Sequence, residues 1–262
     1  MLLDTFQYLL GAASGSLVGF TLGLFGGGGS ILAVPLMVYV VGVPLPHVAI
    51  GTSAVAVAAN AASNLIAHAR RGNVIWRCAI LDSVAGVAGA ALGSIAGKAM
   101  NGDLLLLLFA ALMVVVGVLM FRARRNPGTP NVACNREKAP RVLGYGGVTG
   151  ALSGFFGIGG GFLIVPGLVA STGMPILNAI GSSLVAVTAF GLTTAVSYSM
   201  SGLVDWTLAA LFVAGGIAGG YAGTWVAGRL AARKGALNSA FAALVIVVAI
   251  YMAARSALEL LA

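Results

Sequence analysis

The sequence predicts an all-α polytopic membrane protein made of two inverted repeats, each of about five helical segments. Three observations predict it. First, 60% of residues are hydrophobic and 8% charged, with a mean hydropathy of +1.05. A soluble domain carries roughly 25% charge, so a chain this apolar belongs in a bilayer. Second, the chain repeats itself. Phe25-Gly26-Gly27-Gly28-Gly29-Ser30-Ile31-Leu32-Ala33-Val34-Pro35 returns as Phe156-Gly157-Ile158-Gly159-Gly160-Gly161-Phe162-Leu163-Ile164-Val165-Pro166, identical at seven of eleven positions and offset by 131. Ala49-Ile50-Gly51-Thr52-Ser53 returns as Ala179-Ile180-Gly181-Ser182-Ser183, and Gly72 to Trp76 as Gly202 to Trp206, both offset by 130. Third, equivalent loops exchange charge. The loop Arg70 to Arg77 is basic, while Met200 to Thr207 carries only Asp205; conversely Asn101-Gly102-Asp103 is not basic, while Arg229 to Lys234 is. Basic loops lie on the cytoplasmic side, so equivalent loops fall on opposite faces and the repeats are inverted.

In chain order, a spanning helix needs about 20 apolar residues. The first half offers 6–25, 46–69, 74–97 and 104–121, and the second 142–157, 176–200, 206–228 and 236–255. The stretches 30–42 and 162–173 are apolar but short, and each follows a glycine run and ends at Gly-x-Pro (Gly42-Val43-Pro44 and Gly173-Met174-Pro175). Each reads as the second arm of a helical hairpin with the glycines at its tip, which makes the segment count per half odd, as inversion requires. The organisation is 1–121 as membrane repeat 1, 122–141 as a basic linker and 142–262 as membrane repeat 2. The linker holds six of the fourteen basic residues and is expected in the cytoplasm, with both termini outside. Asp4, without a basic n-region around it, argues against a cleaved signal. Trp76 and Trp206 stand at equivalent segment boundaries and read as interfacial anchors.

Candidate chemistry follows from the breaks. Irregular backbone at membrane depth survives only where protein or a water-filled cavity satisfies it. A helix starting at such a tip aims free N–H groups and a positive dipole end into that space, which makes an anion site without a cationic side chain. Gly26, Gly27, Gly28, Gly29 and Ser30, with Gly157, Gly159, Gly160 and Gly161, are therefore the substrate-binding candidates. The competing role for these glycines is close helix packing. Thr52, Ser53, Ser182 and Ser183 lie at comparable depth and could complete the ligand's hydrogen bonds, or bond between helices. Asn60 is a further candidate; Asn60 and Asn64 have Phe190 and Thr194 at the equivalent positions and could equally hold helices together. Asp82 lies two turns into a spanning helix. It is the coupling candidate, with pairing to Arg70, Arg71 or Arg77 as the structural reading, favoured because Phe212 replaces it in the second half. His68 is expected at the interface beside Arg70 and Arg71.

No metal ligand set and no cofactor site is apparent, and Cys78 and Cys134 have no metal or redox spacing and read as bystanders. The net charge of +8 is loop charge rather than a nucleic-acid footprint. An enzyme is not expected: a hydrolase would need a Ser–His pair or metal ligands at depth, and His47 and His68 lie at ends or loops. An ATPase would need a Gly-x-x-x-x-Gly-Lys-[Ser/Thr] loop, which is missing.

The duplicated Phe-Gly-x-Gly-Gly-x-x-Leu-x-Val-Pro element, the Ile-Gly-[Thr/Ser]-Ser element and the Gly-to-Trp loop together resemble the sulfite exporter TauE/SafE family over nearly the whole chain. That resemblance implies a small inner-membrane secondary transporter exporting an organosulfur anion such as sulfite or sulfoacetate. The expected partners are a small anionic substrate and the lipid bilayer, with a homo-oligomer left open and no nucleic acid. Copy one departs from the pattern by placing Ser30 where copy two has Gly161. Another small anion, an organic acid or a metal ion is the alternative cargo.

Overall fold

The structure is a computed structural model and describes residues 4–123, 134, 138–157, 161–231, 239, 243–248 and 250–251. Among these residues there is no β-strand. The elements are α1 (Thr5–Phe25), a 3₁₀ turn (Gly26–Leu32), the single turn α2 (Ala33–Pro35), a π turn (Leu36–Val40), α3 (Pro46–Arg70), α4 (Trp76–Ala99), α5 (Gly102–Ala123), α6 (Ala139–Phe156), α7 (Gly161–Thr172), α8 (Ile176–Ser199) and α9 (Trp206–Ala231). Of these, α1, α3, α4, α8 and α9 are long and apolar enough to cross a membrane. The observed bounds follow the sequence-predicted segments closely. In the last segment, 236–255, only 239, 243–248 and 250–251 are described, and they are helical.

Local chemistry explains the helix ends. Asp4 caps α1: its Oδ1 accepts from the Thr5 N–H at 2.7 Å, and its own N–H donates to Gln7 Oε1 at 2.9 Å, a reciprocal box that satisfies free donors. Pro46 opens α3, where a missing N–H costs nothing. The arm after α1 is irregular because glycine resists helix continuation and Pro35 removes a donor. It passes through 3₁₀, α and π geometry in fifteen residues, Gly26 to Val40. The equivalent proline, Pro166, sits inside α7. The arm folds back on α1. Thr21 Oγ1 donates to the Gly29 carbonyl at 3.1 Å, and a Cβ on Gly29 would strike the α1 backbone at Thr21 and Leu22. The positive-φ glycines among the described residues form three equivalent pairs: Gly26 and Gly157, Gly42 and Gly173, Gly72 and Gly202. The chain thus turns in the same way at the same places in both halves.

Packing crosses between the halves. The most extensive helix contacts are α1 with α9 and α4 with α6. Both pairs run parallel and are zipped by small residues. Gly15, Gly19 and Gly23 lie against Phe212, Gly216 and Gly220, and Gly146, Gly150 and Gly154 lie against Asp82, Gly86 and Ala90, with no room for a Cβ at any of these six. Such stripes let backbones approach, which is how helices associate when lipid competes for apolar side chains. At the centre α3 and α8 run antiparallel, with Gly51 against Tyr198 and Gly191 against Ala58. They are the most buried of the long apolar helices.

One expectation is corrected here. Cys78, in the first turn of α4, and Cys134, in the linker, are not bystanders: they form a disulfide with Cα atoms 5.5 Å apart. Their separation of 56 residues concealed this. Pairing at that range depends on where the linker folds, not on spacing.

Candidate transport site

The first glycine tip docks on the second half of the chain. Gly26, at φ +61°, lies against Ile180 of α8, and the Gly27 N–H donates to Ser183 Oγ at 3.0 Å. Ser183 in turn donates to the Ile180 carbonyl at 2.8 Å, and Ser30 Oγ donates to the Gly27 carbonyl at 2.8 Å. The second tip mirrors the first contact: Gly157, at φ +65°, lies against Ile50 of α3, whose carbonyl accepts from Ser53 Oγ at 2.9 Å. Gly28 lies within the described 3₁₀ turn, and Gly161 begins α7. Gly159 and Gly160 lie outside the described residues. The first tip's turn contacts α7, so the two second arms meet.

The first hydroxyl of each Gly-[Thr/Ser]-Ser element holds a loop of the opposite half. Thr52 Oγ1 accepts from the Asp205 N–H at 2.9 Å, and Ser182 Oγ accepts from the Ile75 N–H at 2.8 Å. The glycine before each makes room: a Cβ on Gly51 would strike the Leu203 carbonyl, and one on Gly181 the Asn73 carbonyl. Ile75 and Asp205 are themselves equivalent positions. The sequence pattern marked these hydroxyls as ligand candidates; the bonds they make are reciprocal clamps on two loops. No single-copy motif reveals this, because each motif's partner lies in the other copy.

Polar groups inside the bundle differ in how well they are satisfied. Asn64 bridges helices: its Nδ2 donates to the Asn60 carbonyl at 2.9 Å, and its Oδ1 accepts from Thr224 Oγ1 at 3.2 Å. Asn60 is fully buried against Gly216, yet among the described residues neither amide atom has a partner. Asp82 is buried with its Oδ2 unpartnered, and among the described residues no ion pair joins it to Arg70, Arg71 or Arg77, against the pairing expected from the sequence. Arg71 instead donates to the Thr224 carbonyl at 2.6 Å. His68 is fully buried rather than interfacial. Its Nε2 bonds the Gly23 carbonyl at 2.9 Å and its Nδ1 faces Asn73 Nδ2 at 3.2 Å. The Gly23 carbonyl can only accept, so Nε2 carries a proton. A cavity of about 340 Å³ opens between Val43, Pro44, Leu45 and Val48 on one side and Gly202, Val204 and Asp205 on the other, beside the Thr52 clamp. Sequence reasoning did not find it, since it lies between two loops from different halves. Among the described residues no group of three or more His, Cys, Asp or Glu side chains converges as a metal site.

A family model described as sulfite exporter TauE/SafE matches residues 11–252. The chain belongs to the TauE/SafE family. It is similar to a probable membrane transporter protein of Xylella fastidiosa, with 55% identity over 255 residues, covering 95% of this chain and 96% of that one. A probable membrane transporter protein of Haemophilus influenzae is 32% identical over 196 residues, 72% of each chain. Probable membrane transporter protein YunE of Bacillus subtilis is 26% identical over 230 residues, 79% of this chain and 82% of that one. No solved structure matches. This TauE/SafE protein is a multi-pass membrane transporter and not an enzyme.

Proposed function

We propose that this TauE/SafE protein is a secondary transporter of two inverted repeats that exports a small organosulfur anion, sulfite or a sulfonate such as sulfoacetate, from the cytoplasm across the inner membrane. The anion is held at the glycine tips, Gly26 to Gly29 with Ser30 and Gly157 with Gly159 to Gly161, and Thr52, Ser53, Asn60, Ser182 and Ser183 supply further polar groups to the path; Ser183 meets the first tip directly. The observation that carries this reading is reciprocity. Gly26 meets Ile180 as Gly157 meets Ile50, Thr52 holds Asp205 as Ser182 holds Ile75, and α1 packs on α9 as α6 packs on α4. The equivalent helices α3 and α8 run antiparallel, as inversion requires. Transporters built this way place the substrate where broken helices of the two repeats meet. An inside-negative potential favours anion exit by about 2.3 kcal/mol per charge per 100 mV, so export needs no ATPase.

Orientation rests on loop charge. The disulfide supports one part of it, because it ties the linker to the α4 end beside the basic 70–77 loop and so puts both on one face. Disulfides persist better in oxidising compartments, which pulls the other way. The six basic residues of the linker favour the cytoplasmic side.

The test is uptake of labelled sulfite, sulfoacetate, thiosulfate and acetate by purified protein in liposomes. Saturable flux of the sulfur anions with little acetate flux supports the reading. Preference for acetate moves the cargo to organic acids, and flux of none of the four sinks the proposal.

A further inference from the structure

Asp82 lies in the second turn of α4, a helix long and apolar enough to cross the membrane, and only 2% of its surface is exposed. Among the described residues its Oδ2 has no hydrogen-bond partner. The elements packed most closely on α4 are α6 and α8. Their titratable and charged groups are Arg141 and Tyr145 on α6 and Tyr198 on α8; α4 itself adds Arg77 and Lys98. Arg141 is exposed and Tyr145 is 45% exposed. Lys98 is committed elsewhere, to the Ser197 carbonyl and Ser201 Oγ, both at 3.0 Å. Cys78, one turn before Asp82, is tied up with Cys134. Among the described residues none of these groups bonds the Asp82 carboxyl.

Packing does not require an acid here. The equivalent position in the other half holds Phe212, also fully buried, and Gly146 meets the Asp82 backbone as Gly15 meets that of Phe212. The same slot therefore takes an apolar side chain in one half and a carboxyl in the other. A carboxylate with no counter-ion at that depth is expensive, and intramembrane acids mark ion or proton paths by default. A metal cation would need several more oxygen ligands, whereas a proton needs only the one free oxygen.

We propose that Asp82 is a proton-binding site inside the bundle, and that its loading is linked to anion movement. The link, though not the proton site itself, rests on the anion-transport reading above. The first experiment needs no substrate. Infrared spectra of the full-length protein in liposomes, collected across pH in H₂O and D₂O, should show a protonated-carboxyl C=O band that shifts in D₂O and is missing from Asp82→Asn. Absence of such a band in wild type at every pH where the protein stays folded overturns the proposal, and this holds even if Asp82→Asn fails to fold. The second experiment loads the liposomes with a pH-sensitive dye, clamps the potential and follows labelled sulfoacetate. Wild-type sulfoacetate flux should respond to an imposed pH gradient and move protons with it. Asp82→Asn should lose that response, while Asp103→Asn, an exposed acid on α5, should keep it. An undiminished response in Asp82→Asn overturns the link. If wild type moves no sulfoacetate, labelled sulfite takes its place in the same assay; if neither moves, the anion reading has failed and the infrared band still decides the fate of Asp82.

Discussion

Removing the Ser182 hydroxyl takes away the acceptor that holds the Ile75 N–H at 2.8 Å. Ile75 is half-buried and Ser182 fully buried, so water replaces the lost partner poorly. Leaving a buried donor unsatisfied costs about 1–3 kcal/mol. Alanine recovers about 0.5 kcal/mol through its better helix propensity, so Ser182→Ala should cost about 0.5–2.5 kcal/mol net. Thr52→Val is the matching change at the Asp205 N–H, 2.9 Å away. Both residues there are β-branched, so propensity cancels and the cost should be about 1–3 kcal/mol. Thr52 and Ser182 stand near the starts of antiparallel helices and so act at opposite ends of the α3/α8 pair. The double variant should therefore cost the sum of the two within about 0.5 kcal/mol. Thr52→Ser keeps the oxygen and should stay close to wild type. The assay is reversible unfolding in bicelles or by steric trapping, with single-cysteine labelling in 72–75 and 202–205 reporting release of each loop. If Ser182→Ala is as stable as wild type, or Thr52→Ser costs as much as Thr52→Val, the hydroxyls are not clamps.

Gly19→Leu and Gly150→Leu should each lower stability by at least about 1–3 kcal/mol, since the new side chains meet the backbone at Gly216 and Gly86; a melt unchanged in either would refute the zipped α1/α9 or α4/α6 contact. Gly28→Val and Gly160→Val should stop anion flux in liposomes while folded protein is retained, because bulk keeps the ligand from the backbone; near wild-type flux in both would remove the tips as the site. In a protein freed of native cysteines, single cysteines in 70–77 and 229–234 should be shielded from an impermeant thiol reagent added outside, and one in 200–205 labelled; labelling of both 70–77 and 200–205 from one side would end the inverted model.

The segments were legible because each is a long apolar run, and the breaks because glycine and proline punctuate them twice at one offset. The positive-φ turns at Gly26, Gly42 and Gly72 recur at Gly157, Gly173 and Gly202 for the same reason. The stripe of Gly15, Gly19 and Gly23 that α9 receives went unread in the sequence, because spacing alone does not name the helix across from it. The hydroxyls of Thr52 and Ser182 stood out because a polar residue at depth needs a partner, and each bonds a loop 153 or 107 residues away, which the sequence did not show.

By itself, then, the sequence determined the solvent this protein folds in, the number and limits of most of its helices, their duplication and the positions where they break. These are local or periodic properties, written in hydropathy, glycine and proline. Only the tertiary structure decided which helices zip together, that Cys78 meets Cys134, and that among the described residues Asn64 finds Thr224 while the Asn60 amide finds no partner and Asp82 no cation. Each of those depends on what stands across a gap of a few ångströms, and that neighbour comes from the other half of the chain or, for Cys78, from the linker between the halves.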